Sequence, residues 1–105
     1  DAGLDFTRLL GLEFRPVDEG RFPLLRLARE TMVAGGVAPA VLNAANEVAV
    51  TAFLEERIPF LAIPAVVEHT LAAVKNFEPA DLPAVIAADR ESRRIASTRV
   101  STLSR

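Results

Sequence analysis

The sequence lacks cysteine, tryptophan and tyrosine, and it contains a single histidine, His69. Without thiols the chain can form neither disulfides nor thiolate metal sites. With one imidazole it cannot form a zinc site that needs several histidine ligands. The common phosphate-binding loops, the serine-hydrolase elbow and the zinc-protease motif are missing as well. These absences exclude most of the familiar ways of building an active site within this chain.

The charge is small overall but unevenly distributed. The formal net charge of the 105 residues is −2, yet residues 1–89 hold seven basic against thirteen acidic residues, and residues 90–105 hold five arginines against one glutamate. The acidic majority and the scarcity of aromatic residues argue against a nucleic-acid-binding surface. The basic segment favours a solvated last helix, because cations suit the negative end of a helix dipole. An anion-binding surface is the alternative, built from Arg90, Arg93, Arg94 and Arg99.

Membrane insertion and secretion are not indicated either. No apolar run approaches the roughly 20 residues that a bilayer-spanning helix needs, and the start of the chain has no charged-then-apolar signal pattern. Hydrophobic residues make up 50 % of the chain and charged residues 25 %, as in one small globular domain. We therefore expect a cytoplasmic domain that binds neither membranes nor nucleic acids.

The chain divides into an arm, residues 1–21, and a helical domain, residues 22–105. The first twenty residues contain three glycines and one proline among short apolar pieces. Alternation in residues 12–15 predicts a short strand that ends at Pro16. Because so short a strand is not stable alone, it needs a partner from elsewhere. The arm is therefore predicted to be extended and to carry one orphan strand.

Residues 22–105 predict an all-α fold, a bundle of four main helices. Gly35 and Gly36 supply a left-handed stop for the first helix, Pro39 starts a second that runs to about Glu56, and Pro64 starts a third. We expect Leu24, Leu25, Leu27, Ala28 and Met32 on the inner face of the first helix. The C-terminal part is predicted as a short helix, Leu82 to Ala88, capped by Asp81, and a final helix capped by Asp89.

The second helix is apolar nearly all round except for a polar stripe of Asn43, Asn46 and Glu47, which Thr51 extends. An apolar helix of this kind is expected at the centre of a bundle. The stripe has two interpretations: it faces water or makes hydrogen bonds within the bundle, or it bonds to the arm or to a domain outside this chain. Amides suit the second task because each offers donors and an acceptor.

No other residues point to catalysis. His69 lies off the apolar stripe of the third helix and is expected to be exposed. Glu55 and Glu56 are adjacent and therefore diverge by about 100° on a helix, so they do not converge on a metal or a substrate. The sequence thus predicts no catalytic, cofactor-binding or metal-binding residue in this segment.

Long strings of the sequence carry a family resemblance. The most specific is APAVLNAANEVAV, residues 38–50, with RFP upstream at residues 21–23. With the other strings it resembles the C-terminal part of the 1-deoxy-D-xylulose 5-phosphate reductoisomerase family. The full set is LDFTRL (4–9), LEF (12–14), RFPLLRLARE (21–30), AGGVAPAVLNAANEVAVTAFLEERIPFLAI (34–63), VVEHTL (66–71) and AADRESRRIA (87–96).

The resemblance implies part of a larger enzyme. The family enzymes use NADPH and a divalent metal, Mg or Mn, to rearrange and reduce a sugar phosphate to 2-C-methyl-D-erythritol 4-phosphate in non-mevalonate isoprenoid biosynthesis. They place a nucleotide-binding and a catalytic domain before a linker arm and a helical bundle, and this chain resembles only the last two. Its implied partners are therefore those two domains, and a homodimer through the arm is left open. No residue here matches the family's catalytic, NADPH-binding or metal-binding segments.

Two positions depart from the family pattern. Leu24 stands where many members have cysteine, a replacement that a core can absorb. Ala62 stands where aspartate commonly caps the third helix, which predicts a helix start weaker by about 1 kcal/mol.

The expectation from sequence is a non-catalytic domain that buttresses the catalytic domain and is inactive alone. A freestanding helical interaction module derived from that domain is the alternative.

Overall fold

The computed structural model describes residues 23–104, and within that range it consists of four α-helices and one 3₁₀ turn. The predicted all-α bundle is confirmed. The arm, its orphan strand and the domain boundary at residue 21 lie outside the described residues. The helices are α1 (Pro23–Ala34), α2 (Ala38–Leu54), α3 (Ile63–Ala73) and α4 (Leu82–Leu103), and the 3₁₀ turn is Phe60–Ala62.

The helices run alternately up and down. Arg26 near the start of α1 pairs with Glu68 on α3 at 3.5 Å, so these two helices are parallel, with α1 ending near the loop that follows α3. Glu47 on α2 pairs with Arg93 on α4 at 2.7 Å, and the Ser104 hydroxyl after α4 donates to the Arg57 carbonyl after α2 at 3.5 Å, so α2 and α4 are also parallel. We call the end where α1 and α3 begin and α2 and α4 finish the proximal end, and the opposite one the distal end.

Helix α2 is the centre of the bundle and contacts each of the other three helices. Alanines dominate its buried surface, and small side chains let neighbouring helix backbones approach closely from several sides. The larger side chains that fill the core come from the neighbouring helices and from the connector between α2 and α3, residues 55–62. They include Leu27, Ile58 and Ile63. The buried residues of α2 are Ala38, Val41, Ala44, Ala45, Ala49 and Ala52.

Helix ends largely follow the local sequence signals. Gly35 and Gly36 have φ of +66° and +61°, the left-handed stop that was predicted. The Asp81 side chain accepts a hydrogen bond from the Ala84 N–H at 3.0 Å, so its predicted capping role is confirmed. Ala62 precedes α3 without any side-chain cap, as its methyl group requires. The 3₁₀ turn leads directly into α3 and bonds the Ala62 N–H to the Pro59 carbonyl at 3.0 Å.

The C-terminal part is one helix of 22 residues, so the prediction of a separate short helix and a final helix was wrong. Asp89 does not cap a helix start. Its carboxylate accepts a hydrogen bond from Arg93 Nε at 2.9 Å, one turn further along the same helix. An acid followed four residues later by arginine stabilises a continuous helix, and no glycine or proline interrupts residues 84–104.

The inner face of α1 was also only partly predicted. Leu27 is buried and Leu24 packs against the core, but Met32 is 78 % exposed. Thr31 takes the buried position instead, and its hydroxyl donates to the Ala28 carbonyl at 2.9 Å. That internal hydrogen bond satisfies the hydroxyl and removes the main cost of burying threonine.

Candidate functional site

The predicted polar stripe of α2 does not act as one unit. Asn43 is exposed. Glu47 is also exposed and accepts a hydrogen bond from Arg93 at 2.7 Å, so it ties α2 to α4 within the bundle. Asn46 is half-buried, between Leu42 and Val50 one turn away on either side. The structure therefore brings together Glu47 and Arg93, whereas the Oδ1 of Asn46 takes no part in that pair.

Asn46 is the member of the stripe whose hydrogen bonding is incomplete. Its Oδ1 atom is fully buried and accepts no hydrogen bond from the described residues. Leaving a buried polar acceptor unpaired costs about 1–3 kcal/mol. Within residues 23–104, Asn46 Oδ1 and Arg99 Nε are the two buried side-chain polar atoms that lack a hydrogen-bond partner, and Asn46 Oδ1 is the one that needs a donor.

A surface groove of about 280 Å³ lies beside the stripe, between α2 and α4. Arg93 crosses it, with Nε on Asp89 at 2.9 Å and a terminal nitrogen on Glu47 at 2.7 Å. The hydrogen bond to Asp89, and next the one to Glu47, raise the pKa of Arg93 above its usual value. Both partners neutralise the arginine, which leaves the groove without a concentrated charge of either sign. Its lining consists of Glu47, Val48, Thr51, Ala52, Glu55, Arg57, Arg93, Ser97 and Val100.

Sequence reasoning missed Asn76, whose side chain makes three hydrogen bonds to backbone groups of the described residues. Its Oδ1 accepts hydrogen bonds from the Val37 and Ala38 N–H groups, each at 3.0 Å, and its Nδ2 donates to the Gly35 carbonyl at 3.2 Å. Val37 N–H is shared with the Phe77 carbonyl at 3.0 Å. The amide therefore caps the start of α2 from the loop after α3. Asparagine after a helix is a signal for a turn, but nothing local identifies partners 38 to 41 residues away.

The remaining candidates are not assembled into a reactive centre within the described part of the chain. His69 is exposed, as predicted. Residues 23–104 contain no group of three or more histidine, aspartate or glutamate side chains placed to hold a metal ion. These residues therefore do not fit the divalent metal that the family implies. None of the four helices combines the length and apolar character that a bilayer crossing requires.

The fold and its hydrogen bonds define a class of protein, a helical-bundle domain whose polar side chains hold helices together. Comparison with known proteins places it more narrowly. The family model described as DXP reductoisomerase C-terminal domain matches residues 2–95. The chain therefore belongs to the DXP reductoisomerase C-terminal domain family.

Individual relatives agree with this assignment. The 1-deoxy-D-xylulose 5-phosphate reductoisomerase of Rhodospirillum centenum is 55 % identical over 100 residues, which cover 95 % of this chain and 25 % of the relative. That of Xanthomonas campestris pv. campestris (strain B100) is 52 % identical over 93 residues, 89 % of this chain and 24 % of the relative. The chain thus spans about a quarter of the length of the curated relatives that it matches.

A solved structure shows the same fold. The 1-deoxy-D-xylulose 5-phosphate reductoisomerase from Zymomonas mobilis, in complex with NADPH, superposes with a TM-score of 0.79 at 46 % sequence identity. The match covers 95 % of this chain and 26 % of that chain. The bundle is therefore a recurring unit within larger proteins of that name.

Proposed function

We propose that this chain is the C-terminal, non-catalytic domain of a 1-deoxy-D-xylulose 5-phosphate reductoisomerase. The complete enzyme isomerises and reduces its sugar phosphate to 2-C-methyl-D-erythritol 4-phosphate in isoprenoid biosynthesis. The observation that carries the proposal is the match in coverage, because 95 % of this chain corresponds to only 25 % of the relative from R. centenum. The chemistry then belongs to the other three quarters of the enzyme.

We assign the cofactors to the parts of the enzyme that lie outside this chain. The complete enzyme uses NADPH, which the Z. mobilis relative holds in its structure, and a divalent metal, Mg or Mn, that polarises substrate oxygens. The side chains of residues 23–104 do not gather the carboxylates that a divalent metal needs. The role of these residues is structural, and no catalytic step is assigned to them.

The domain acts by buttressing the catalytic domain. Asn46 is the proposed anchor, because its buried Oδ1 has no donor among the described residues. An N–H group from the arm or from the catalytic domain supplies that donor when the Asn46 side chain, which is half-buried as a whole, turns outward. A rigid support matters for rate because displacements of about 1 Å at a reacting centre can cost about a hundredfold. The complete enzyme is proposed to be cytoplasmic, and its arm to contribute to a homodimer.

The test is a set of variants in the full-length enzyme. Asn46→Ala removes the acceptor and is expected to lower both kcat/KM and the melting temperature. Asn43→Ala, an exposed position in the same stripe, is the matched control and should leave both unchanged. Asn46→Asp keeps the oxygen acceptor and should restore part of the loss.

Two results would contradict the buttressing role. One is full activity in an enzyme truncated before residue 23 and still folded. The other is equal behaviour of Asn46→Ala and Asn43→Ala in rate and melting temperature. The first result favours the alternative of a freestanding interaction module, and the second removes Asn46 as the anchor.

A further inference from the structure

Arg99, in the last turns of α4, has an incomplete set of hydrogen bonds although part of its side chain is buried. Its Nε atom is buried and bonds to no acceptor within residues 23–104. The residue as a whole is half-buried. The guanidinium is always charged, and burying a charged donor is unfavourable unless an acceptor replaces the water that it loses. Arg99 therefore requires an acceptor from outside these residues.

Two other arginines of α4 show how the same helix normally supplies that acceptor. Arg93 Nε donates to Asp89, four residues before it, at 2.9 Å. Arg94 Nε donates to Glu91, three residues before it, at 3.0 Å. The positions three and four residues before Arg99 hold alanine and isoleucine instead. The helix thus provides a carboxylate for each of the first two arginines and none for the third.

The neighbouring helices do not provide the carboxylate either. With 3.6 residues per turn, Arg93 and Arg99 lie on opposite flanks of the buried row of α4. Arg93 faces Glu47 on α2, so Arg99 lies on the flank toward α3, which also packs against α4. The single acidic residue of α3, Glu68, pairs with Arg26 at 3.5 Å instead. Within residues 23–104, no acidic side chain pairs with Arg99.

Arg99 lies at the end of the bundle where the preceding polypeptide is attached. Helix α4 finishes and α1 begins at the proximal end, so the chain before Pro23 joins the bundle at the end that holds Arg99. In the complete enzyme, about three quarters of the polypeptide precede this chain. Residues 1–22 themselves contain five carboxylates, which are Asp1, Asp5, Glu13, Asp18 and Glu19.

We propose that Arg99 binds a carboxylate carried by the polypeptide that precedes residue 23. The side chain, half-buried as a whole, turns its Nε outward and donates from Nε and a terminal nitrogen, as Arg94 does to Glu91. The carboxylate comes either from residues 1–22 or from the preceding domains. Only the second source rests on the proposed function, and the experiment separates the two.

The test measures hydrogen exchange of the backbone amides of residues 92–103, in the 105-residue chain and in the full-length enzyme. Arg99→Met keeps an unbranched side chain and removes the guanidinium. Arg90→Met is the matched control, since Arg90 is an exposed arginine of the same helix. Far-UV circular dichroism checks that each variant is folded. Hydrogen exchange reports local opening of the helix and not catalysis, so its outcome is independent of the rate measurements that test the proposed function.

Where the carboxylate is present, Arg99→Met leaves it unpaired and should speed exchange about tenfold, whereas Arg90→Met should change exchange less than about twofold. Acceleration in the 105-residue chain assigns the carboxylate to residues 1–22. Acceleration in the full-length enzyme alone assigns it to the preceding domains. Arg99→Lys keeps the positive charge and should recover part of the loss in the same context.

The opposite sign would overturn the proposal. Without a carboxylate, Arg99→Met only removes an unpaired buried donor, and exchange then slows or stays unchanged. That result in both the chain and the full-length enzyme would show that Arg99 has no such partner. Equal acceleration by Arg99→Met and Arg99→Lys would overturn the proposal too, because the loss would then come from packing and not from charge.

Discussion

The two ends of the bundle are closed by different chemistry. At the distal end, Asn76 and the Phe77 carbonyl bond to the N–H groups that open α2, and Gly36 lets the loops meet. At the proximal end, Ile58 fills the core with an apolar side chain, and α2 finishes with Glu56 in the left-handed region at φ 60°. The distal end adds these side-chain hydrogen bonds to a small apolar cluster of Val37, Val41 and Ala88, whereas the proximal end relies mainly on hydrophobic burial.

The two ends therefore tolerate substitution at different positions. Hydrogen bonds to backbone groups need fixed geometry, so the distal end depends on the identity of Asn76 and Gly36. Apolar burial depends mainly on volume, so the proximal end depends mainly on the volume of Ile58, which is 2 % exposed.

The largest expected effect is at Gly36. A Cβ there would lie 2.6 Å from the Phe77 carbonyl oxygen and 2.7 Å from Asn76 Oδ1, at a positive φ that disfavours side chains. Gly36→Ala should lower the free energy of unfolding by about 3 kcal/mol. Gly35→Ala has nothing within 4 Å and should cost about 1 kcal/mol for its φ alone. Urea unfolding followed by far-UV circular dichroism measures both, and equal costs would contradict the crowding at Gly36.

Substitution of Asn76 should have the next largest effect on the free energy of unfolding. Asn76→Ala removes two hydrogen bonds to the start of α2 and one to Gly35. The loss should be about 2 kcal/mol in the free energy of unfolding, since it combines a lost helix cap with unpaired backbone groups. Asn43→Ala, at an exposed site, should cost less than about 0.5 kcal/mol in the same assay. A cost at residue 76 no greater than at residue 43 would refute the distal hydrogen-bond closure.

At the proximal end, one substitution should raise the free energy of unfolding instead of lowering it. Glu56 has φ 60° without being glycine, so Glu56→Gly relieves backbone strain and should raise the free energy of unfolding by about 1 kcal/mol. Glu55, with φ −87°, is the control, and Glu55→Gly should give no gain. Thermal unfolding of the two variants separates these outcomes. Destabilisation by Glu56→Gly would mean that the glutamate side chain makes a contact worth more than the strain.

The smallest expected effect is electrostatic and lies on α4. Arg94 donates to Glu91 at 3.0 and 2.6 Å, and these hydrogen bonds lower the pKa of the Glu91 carboxyl. A lowered folded-state pKa contributes stability above the unfolded-state pKa, and that contribution is lost as the pH falls through the folded-state pKa. NMR titration should show the pKa of Glu91 returning to its usual value in Arg94→Gln. An unchanged pKa would show that solvent screens this exposed pair completely.

Much of the fold was predictable because its signals are local. Gly35–Gly36 stops a helix, Asp81 caps one, and proline lies in the first turn of α2, α3 and α4. Each of these acts within a few residues of its own position, so the sequence alone locates it. Burial of Ala96 and Val100 likewise follows from helical spacing.

Most of the errors came from effects that are not local. Asp89 is the exception, because its partner Arg93 lies one turn further along the same helix and no glycine or proline ends the helix there. Met32 was placed inside by its apolar character, but Thr31 lies on the side of α1 that faces the bundle. Asn76 has partners in a different loop. Sequence patterns report what a residue prefers, whereas the packing of helices decides which preference is used.

The candidate site was likewise predictable from sequence only in part. The stripe Asn43, Asn46 and Glu47 was located by helical spacing, and the three do lie on one side of α2. Sequence could not separate their environments, since that depends on Arg93 from a helix that follows 46 residues later. The role of Asn46 as an anchor between the bundle and another part of the enzyme remains a prediction.

The most direct test of the scaffold role is turnover by the purified 105-residue chain. NADPH oxidation is followed after addition of 1-deoxy-D-xylulose 5-phosphate and Mg or Mn, beside the full-length enzyme under the same conditions. If the bundle is a scaffold, the full-length enzyme oxidises NADPH in a substrate-dependent way and the chain does not. Turnover by the chain alone, proportional to its concentration and abolished by removing the metal, would contradict it.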